Sequence, residues 1–309
     1  MNLQIADFQP KVSLLVPVYN VADCIERCLR TLFEQTLDDI EFIFVDDGST
    51  DDSCIVLKQI AEQYPQRKGS IRLIHHPRNL SLGTARKTAV EAAAGEYITH
   101  IDSDDYIDRA MCEVMYNKAK EGDYDMVWCA YDIIHNNQSV YQPVAHEKDP
   151  IECLLKMAVF SKDINFQVWN KMIRRSIVQN SDFKFPIGIN VHEDYYQTIQ
   201  YFFHSKSICH VNRALYHYVL RNTSLSSKES LWDDTLWRVD DILKVENFLL
   251  NYLEQCVSKV YNVKRTINYR KFYTKRHILT MCPKHYKQYT SLYPEAKIPF
   301  FEPPYIFQI

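Results

Sequence analysis

Glycine is scarce in this sequence, with six glycines among 309 residues. Neither of the common glycine-rich phosphate-binding patterns, G-x-G-x-x-G and G-x-x-x-x-G-K-S/T, is present. Both patterns use glycine so that the backbone can approach a phosphate closely. Their absence disfavours dinucleotide-dependent oxidoreductases and P-loop nucleoside triphosphatases. A nucleoside diphosphate bound by this chain would therefore need another source of positive charge, such as a metal ion.

Signals for export and membrane insertion are also lacking. The first residues, Met1 to Asp7, contain no basic segment followed by an apolar one, so we expect no secretory signal peptide. No apolar run reaches the ~20 residues that a transmembrane helix requires. The nine cysteines are an odd number and include no C-x-x-C pair, which is typical of reduced thiols. These features predict a cytoplasmic protein.

The sequence carries no large excess of charge of either sign. Its formal net charge is −3, and 46% of its residues are hydrophobic and 24% charged. This is the composition of an ordinary soluble protein, and it gives no indication of a nucleic-acid partner. The length suffices for one large domain or two small ones.

The first third of the sequence alternates between short apolar runs and amphipathic segments. The apolar runs predict strands at Val12–Val16, Ile40–Val45, Ile71–Ile74 and Tyr97–Ile101. The amphipathic segments between them predict helices, the third of which we expect to end at Gly95. Strands and helices that alternate in this way are typical of an α/β fold with a parallel sheet covered on both faces.

Polar clusters follow three of these predicted strands. They are Pro17-Val18-Tyr19-Asn20, Asp46-Asp47-Gly48-Ser49 and Asp102-Ser103-Asp104-Asp105. The carboxyl ends of parallel strands meet at one edge of a sheet, where ligands of such folds bind. The sequence therefore predicts that the three clusters form one site.

The third cluster is a candidate metal site. Asp102 and Asp104 would project to the same side of an extended chain. Paired carboxylates suit Mg²⁺ or Mn²⁺ with a phosphate ligand. An acidic turn that caps the next helix is the alternative. Asp46 or Asp47 could accept hydrogen bonds from a base or a ribose hydroxyl.

In content, order and spacing, these segments resemble the nucleotide-binding half of bacterial family-2 glycosyltransferases of the GT-A fold. The matching segments are Val16–Asn20, Phe44–Asp51, Gly95–Ile98 and Asp102–Asp105. The resemblance implies a Rossmann-like, mainly parallel sheet flanked by helices. It also implies a nucleotide-sugar donor, usually a UDP-sugar, with Mn²⁺ or Mg²⁺ at the D-x-D motif.

The resemblance extends to individual residues. It implies a metal held by Asp102 and Asp104. We expect Asp104 to contact the ion first, then Asp102, with Asp105 as the outside candidate. It implies nucleotide-sugar contacts for Pro17, Tyr19, Asp46, Asp47, Arg86, Asp102, Ser103, Trp169, Lys171 and Arg221. The segment around Arg86 departs from the family pattern, because two glycines and an asparagine are replaced by Ser81, Ala89 and Lys87. Arg86 is interpreted either as a base or phosphate contact or as a helix-surface arginine.

The second half of the sequence carries two further segments that resemble the family. Val168–Arg175 resembles a W-N-K segment of the acceptor side, in which Trp169 either stacks on a sugar or packs in the core. Glu193-Asp194 resembles an E-D motif whose aspartate is the catalytic base. Transfer requires a carboxylate to accept the proton of the acceptor hydroxyl, and we favour Asp194 over Glu193. The alternative is a pair of acidic residues that complements a helix dipole.

The remaining segments give weaker indications. Arg221 or His217 could reach the diphosphate or the metal, although a histidine among aromatic residues is more often packed. Apolar spacing after Leu231 predicts a long amphipathic helix. Residues 259–287 contain nine basic side chains and no acidic one. Their interpretation is either a solvated helix face or peripheral contact with anionic lipid.

The resemblance therefore implies an inverting, metal-dependent glycosyltransferase of cell-surface polysaccharide or glycoconjugate synthesis. Residues 1–225 would form the GT-A domain, with the nucleotide site in about 10–110 and the acceptor site in 111–225, and 226–309 a helical region. The acceptor would be a saccharide or a lipid-linked saccharide, met at the inner face of the plasma membrane. The alternatives are a nucleotidyltransferase, which should carry a glycine-rich loop, and a non-catalytic nucleotide-sugar-binding subunit, which Asp102, Asp104 and Asp194 argue against.

Overall fold

Four parallel strands form the first half of a single mixed sheet. The computed structural model describes residues 9–136, 138–144, 147–161, 164–189, 192–221, 236–256, 263–281 and 291–294. The strands are β1 (Val12–Val18), β2 (Ile40–Asp46), β3 (Ile71–His75) and β4 (Tyr97–His100), and they lie in the order β3-β2-β1-β4. The connecting helices are α1 (Ile25–Phe33), α2 (Ser53–Glu62) and α3 (Leu82–Ala92), with a 3₁₀ helix at Pro65–Ser70. The predicted α/β fold is confirmed.

The second half of the chain extends the same sheet with strands of both directions. They are β5 (Tyr106–Ile107), β6 (Met126–His135), β7 (Gln138–Gln142), β8 (Lys171–Arg174) and β9 (Ile208–Val219). β8 is antiparallel to both β4 and β6, and β6 is parallel to β9. The order is β3-β2-β1-β4-β8-β6-β9-β5, with β7 beside β6. β8 thus joins the two halves into one sheet.

Helices cover both faces of the sheet. Those of the second half are α4 (Met111–Glu121), α5 (Pro150–Ala158), α6 (Arg175–Val178), α7 (Glu193–His204), α8 (Leu236–Cys256) and α9 (Val263–Met281). One core packs α1 against side chains such as Leu14 and Phe44. The other core packs Leu15 and Val45 with α3, α5, α7, α8 and α9. The two C-terminal helices therefore share a core with α7, and the predicted domain boundary at residue 225 lies outside the described residues.

Gly95 corrects one expectation. α3 ends at Ala92, and Ala93 is already extended, with φ −73° and ψ 136°. Gly95 therefore does not end the helix. Its N–H donates to Ser13 Oγ and to Glu41 Oε1, both at 2.9 Å. A Cβ at this position would lie 2.6 Å from Ser13 Oγ, so close approach to β1 requires the glycine.

The long helix predicted after Leu231 is present as α8, which begins at Leu236 in the described part of the chain. None of the described helices combines the length and the apolar composition that crossing a membrane would require.

Candidate active site

The first two polar clusters contact each other at the carboxyl edge of the sheet. Thr50 N–H donates to Asn20 Oδ1 at 2.8 Å, and Ala22 N–H donates to Asp51 Oδ2 at 2.9 Å. Tyr19 projects from this junction with 45% of its surface exposed. Its ring is available to a planar ligand, whereas Pro17 is buried within β1.

The two aspartates at the end of β2 are both used within the protein. Asp46 accepts the N–H of Ser49 at 2.9 Å. Burial raises the pKa of this carboxyl, but its hydrogen bonds lower the pKa by more, so the net shift is downward. Asp47 accepts the N–H groups of Leu80 and Ser81, at 2.9 and 3.0 Å. These bonds hold the loop before α3 beside the carboxyl end of β2.

Ser81 shows the consequence of one departure from the family pattern. This residue stands where the pattern has glycine, and its φ is +92°. Side chains other than glycine rarely adopt that conformation. The bond from Ser81 N–H to Asp47 and a second one to Asn79 Oδ1, at 3.1 Å, hold the strained turn. These two hydrogen bonds therefore stabilise the loop at Ser81.

Alternating burial separates the residues of the third cluster. Asp102 and Asp104 are partly exposed, whereas Ser103 and Asp105 are buried. Both oxygens of Asp105 are occupied, because Tyr216 Oη and Val219 N–H each donate to one at 2.7 Å. Asp105 therefore ties the turn to β9, and Asp102 and Asp104 are the pair that faces the site.

The helix-cap interpretation of this cluster is wrong. The next helix, α4, begins at Met111, and its N-cap is Ala110, whose side chain cannot cap. The nearest carboxylate that serves this helix end is Asp108, which accepts the Ala110 N–H at 2.8 Å. None of the carboxylates from Asp102 to Asp105 caps α4.

Arg86 joins the two halves of the site. It lies on α3 and is 1% exposed, so its interpretation as a surface arginine is wrong. The guanidinium donates to Asp102 Oδ1 at 3.2 Å and, more closely, to Asp194 Oδ1. Glu193 Oε1 lies 4.0 Å from the same group. One buried cation thus holds the end of β4 beside the first turn of α7.

The carboxylates of this site outnumber the cation beside them, and burial makes their ionisation costly. Burial raises the pKa of Asp102 to about 6 and that of Glu193 to about 7, and the charge of Asp194 adds to both shifts. Burial also raises the pKa of Asp104, while Arg221 and Arg27 oppose that shift. A divalent cation would relieve this repulsion. The donor set is made of hard oxygens, which fits Mn²⁺ or Mg²⁺.

Trp169 and Lys171 are enclosed by protein. Trp169 is 3% exposed and stacks on Tyr216 with ring centroids 4.2 Å apart. Lys171 is 1% exposed and donates to the carbonyls of Gln167 and Asn165, at 2.6 and 3.1 Å. This geometry favours the interpretation of Trp169 as a packed core residue. Lys171 anchors the loop before β8 through its hydrogen bonds to the loop carbonyls. Direct contact of either with a sugar would require their surroundings to open.

Two arginines lie beside Asp104. Arg221 pairs with Asp23 and donates to Cys24 Sγ at 2.8 Å. Arg27 on α1 donates to the Asp104 carbonyl at 3.1 Å. Sequence reasoning missed Arg27, because a single arginine on an amphipathic helix has no distinguishing pattern.

His217 packs rather than facing the acidic site. Its ring is stacked on Tyr106 with centroids 4.5 Å apart, and Nδ1 lies 3.3 Å from Asp132. Burial lowers its pKa.

The sequence matches the Glycosyl transferase family 2 over residues 13–182. The chain belongs to this family. EpsH of Bacillus subtilis strain 168, described as a glycosyltransferase, is 36% identical over 222 residues, which cover 70% of this chain. The chain spans 62% of the length of that relative.

Solved structures share the fold of this family-2 chain. S. aureus TarS 1-349 in complex with UDP-GlcNAc gives a TM-score of 0.69 at 21% identity, covering 93% of this chain and 79% of that one. The mannosyltransferase PcManGT from Pyrobaculum calidifontis, in complex with GDP-Man and Mn²⁺, gives 0.57 at 16% identity, covering 94% and 77%. The GT-A fold implied by the sequence is confirmed.

Proposed function

We propose that this protein transfers a sugar from a UDP-sugar to an acceptor hydroxyl, with inversion at the anomeric carbon. The observation that carries the proposal is that Arg86 bridges carboxylates from the two halves of the site. It brings Asp102, on the nucleotide side, next to Glu193 and Asp194, which begin α7. Donor diphosphate and acceptor would have to meet between these two groups of carboxylates.

The four carboxylates and Arg86 each have a proposed role. Asp194 accepts the proton of the acceptor hydroxyl as the hydroxyl oxygen attacks the sugar carbon, and Glu193 is the alternative base. Asp102 and Asp104 would hold a divalent cation, which neutralises charge on the departing diphosphate when bound. Arg86 fixes the orientation of Asp194 and Asp102 before substrate enters. Tyr19, whose side chain is exposed, would stack on the base.

A UDP-sugar is favoured over a GDP-sugar as the donor. The TarS complex, which contains UDP-GlcNAc, superimposes with a higher TM-score than the GDP-Man complex of PcManGT. The poly(ribitol-phosphate) beta-glucosyltransferase of Bacillus spizizenii, which is 32% identical over 214 residues, supports a role in polysaccharide or glycoconjugate synthesis.

A thermal-shift screen of UDP-, GDP- and TDP-sugars with and without Mn²⁺ tests the donor and the metal together. A ligand at 100 times its Kd adds about 2.7 kcal/mol to the free energy of unfolding. At about 2.1 cal/mol/K per residue, this corresponds to a rise of about 4 °C in Tm for a chain of this length. We expect that rise with UDP-sugars and Mn²⁺, and its loss when EDTA is added.

Asp102→Asn and Asp104→Asn should each abolish the Mn²⁺-dependent part of the shift. Asp38→Asn is the matched control, because the Asp38 side chain is 97% exposed and lies outside the site. A rise in Tm that persists in EDTA would contradict the proposed metal dependence. A larger rise with a GDP-sugar than with a UDP-sugar would contradict the proposed donor. A shift without any sugar transfer would favour a non-catalytic binding subunit.

We also propose peripheral contact with anionic lipid through α9. Among its described residues, Lys264, Arg265 and Arg276 are exposed and Lys275 is half-buried. Arg270 points inward instead and pairs with Glu246. Each basic residue near an anionic surface contributes about 1 kcal/mol. The other basic residues of the 259–287 segment lie outside the described residues or, as with Lys271, are half-buried.

Reversing charge on α9 should weaken binding to anionic vesicles. The variant Lys264→Glu/Arg265→Glu/Lys275→Glu is expected to lose sedimentation with phosphatidylserine vesicles at low salt. The control Lys58→Glu/Lys68→Glu/Lys206→Glu makes the same charge change at exposed lysines elsewhere and should sediment normally. Equal loss in both variants would show that total charge, not α9, governs binding. Wild-type protein that does not sediment would refute the proposal.

A further inference from the structure

Three different ligand atoms converge at the carboxyl ends of β2 and β3. Asp46 and His75 are the last residues of these strands and are direct partners in the parallel register. Cys54 is the second residue of α2, the helix that follows β2. A carboxylate oxygen, the thiol sulfur and an imidazole nitrogen lie within 4.8 Å of one another. The three residues therefore come together from three elements of the fold.

The orientation of Asp46 is fixed by its neighbours. One oxygen, Oδ1, accepts the Ser49 N–H at 2.9 Å. The other, Oδ2, lies 2.9 Å from His75 Nδ1. A carboxylate anchored through one oxygen presents the second to a ligand in a defined direction. Asp46 is 6% exposed, Cys54 is half-buried, and the His75 side chain is 51% exposed, so the cluster opens to solvent on the histidine side.

We propose that Asp46, Cys54 and His75 bind a divalent cation of the zinc type. One oxygen, one sulfur and one nitrogen form a donor set that suits Zn²⁺, with water in the fourth position of a tetrahedron. Mg²⁺ and Mn²⁺ prefer sites made of oxygen alone, such as that of Asp102 and Asp104. The two sites would therefore select different metals.

The binding step balances without any oxidant or reductant. Zn²⁺ displaces the thiol proton of Cys54, which passes to solvent. The hydrogen bond between Asp46 and His75 is replaced by a bond from each to the metal. His75 then carries its single ring proton on Nε2, while Nδ1 is the ligand. The site does not depend on sugar transfer, although Asp46 also belongs to the proposed nucleoside end of the active site.

Cobalt(II) is the probe that reports thiolate ligation directly. The full chain, stripped of metal by dialysis against a chelator, is titrated with Co²⁺. We expect a near-ultraviolet thiolate-to-cobalt charge-transfer band and the visible bands of tetrahedral cobalt, both saturating at one equivalent and bleached by Zn²⁺. Cys54→Ser should abolish the charge-transfer band. His75→Gln should weaken zinc binding by at least about tenfold, because even residues that only orient ligands contribute about 10–100-fold.

Matched variants distinguish cobalt binding at this site from binding elsewhere in the protein. Cys24→Ser removes another half-buried thiol outside the cluster and should keep the band. Asp102→Asn should also keep it, since the acidic site is separate. Cys54→Ala should have the same circular dichroism spectrum and melting temperature as the metal-free wild type. Agreement in both would show that loss of the band reflects loss of a ligand and not misfolding. Cobalt binding without a charge-transfer band, or a band that survives both Cys54 variants, would overturn the proposal.

Discussion

Asp194→Asn is expected to lower kcat for sugar transfer by about 10²–10⁴-fold, the usual contribution of a general base. The substitution keeps the shape of the side chain and an oxygen that can accept from Arg86, but it removes the ability to take a proton. Because the base acts on the acceptor, the affinity for the donor should change little. Initial rates at varied donor concentration, together with the thermal shift by UDP-sugar, separate the two effects.

Glu193→Gln is the matched variant for this experiment, since it makes the same chemical change one residue earlier. Its side chain lies 4.0 Å from Arg86, farther than that of Asp194. We expect a smaller loss than in Asp194→Asn. If Glu193→Gln loses the larger part of kcat while Asp194→Asn stays within tenfold of wild type, the two roles are reversed.

The pH profile gives an independent test of the same carboxylates. Burial raises the pKa of Asp102 to about 6 and that of Glu193 to about 7. Protonation removes the charge with which Asp102 would hold a cation and the charge with which Glu193 would act as a base, so kcat/KM should fall as the pH drops through about 7 and about 6. In Glu193→Gln the acid side of the profile keeps only the contribution of Asp102. An unchanged rate at pH 5 would show that these carboxylates are ionised or not needed.

The parallel half of the sheet could be predicted because its signals are local. β2, for example, was predicted at Ile40–Val45 and is observed at Ile40–Asp46, since an apolar run interrupted only by Glu41 ends at two aspartates and a glycine. β8 had no such signal. It has four residues, and its pairing with β4 and β6 joins segments far apart in sequence. Non-local pairing of this kind is not encoded in a short pattern.

The site was predicted as a set of residues but not as an arrangement. The sequence could not decide whether Arg86 faces solvent or a ligand, because its partner Asp194 is 108 residues away. It could not decide whether Trp169 meets a sugar or a core, because the stacking partners Tyr216 and Tyr218 lie on β9. In both cases tertiary contacts, rather than local pattern, determine the role.

The ion pair between Glu246 and Arg270 connects α8 and α9 to α7, the helix of the proposed base. Arg270 lies on α9, donates to both carboxylate oxygens of Glu246 on α8, and also donates to the Ala158 carbonyl at 3.3 Å. Its guanidinium lies 3.8 Å from the centre of the Phe160 ring and 5.1 Å from that of Tyr195. Tyr195 follows the proposed base directly, so this pair supports the first turn of α7.

Glu246→Gln is expected to lower the free energy of unfolding by about 3–5 kcal/mol, because it leaves a buried cation without its counter-charge. The two side chains are only 1% and 3% exposed, so water cannot take over the lost interaction. At about 2.1 cal/mol/K per residue, the expected loss in Tm is about 5–8 °C. Denaturant and thermal unfolding of the metal-free chain measure both quantities.

Glu254→Gln makes the same chemical change at an exposed residue of α8 and should cost less than about 1 kcal/mol. The double variant Glu246→Met/Arg270→Leu is expected to be more stable than either single variant, since an apolar pair carries no buried charge. Equal losses in the single and double variants would mean that packing of the arginine on Phe160 matters more than charge. Since Tyr195 is in contact with this pair, a fall in kcat that accompanies the fall in Tm would show that the C-terminal helices position the catalytic end of α7.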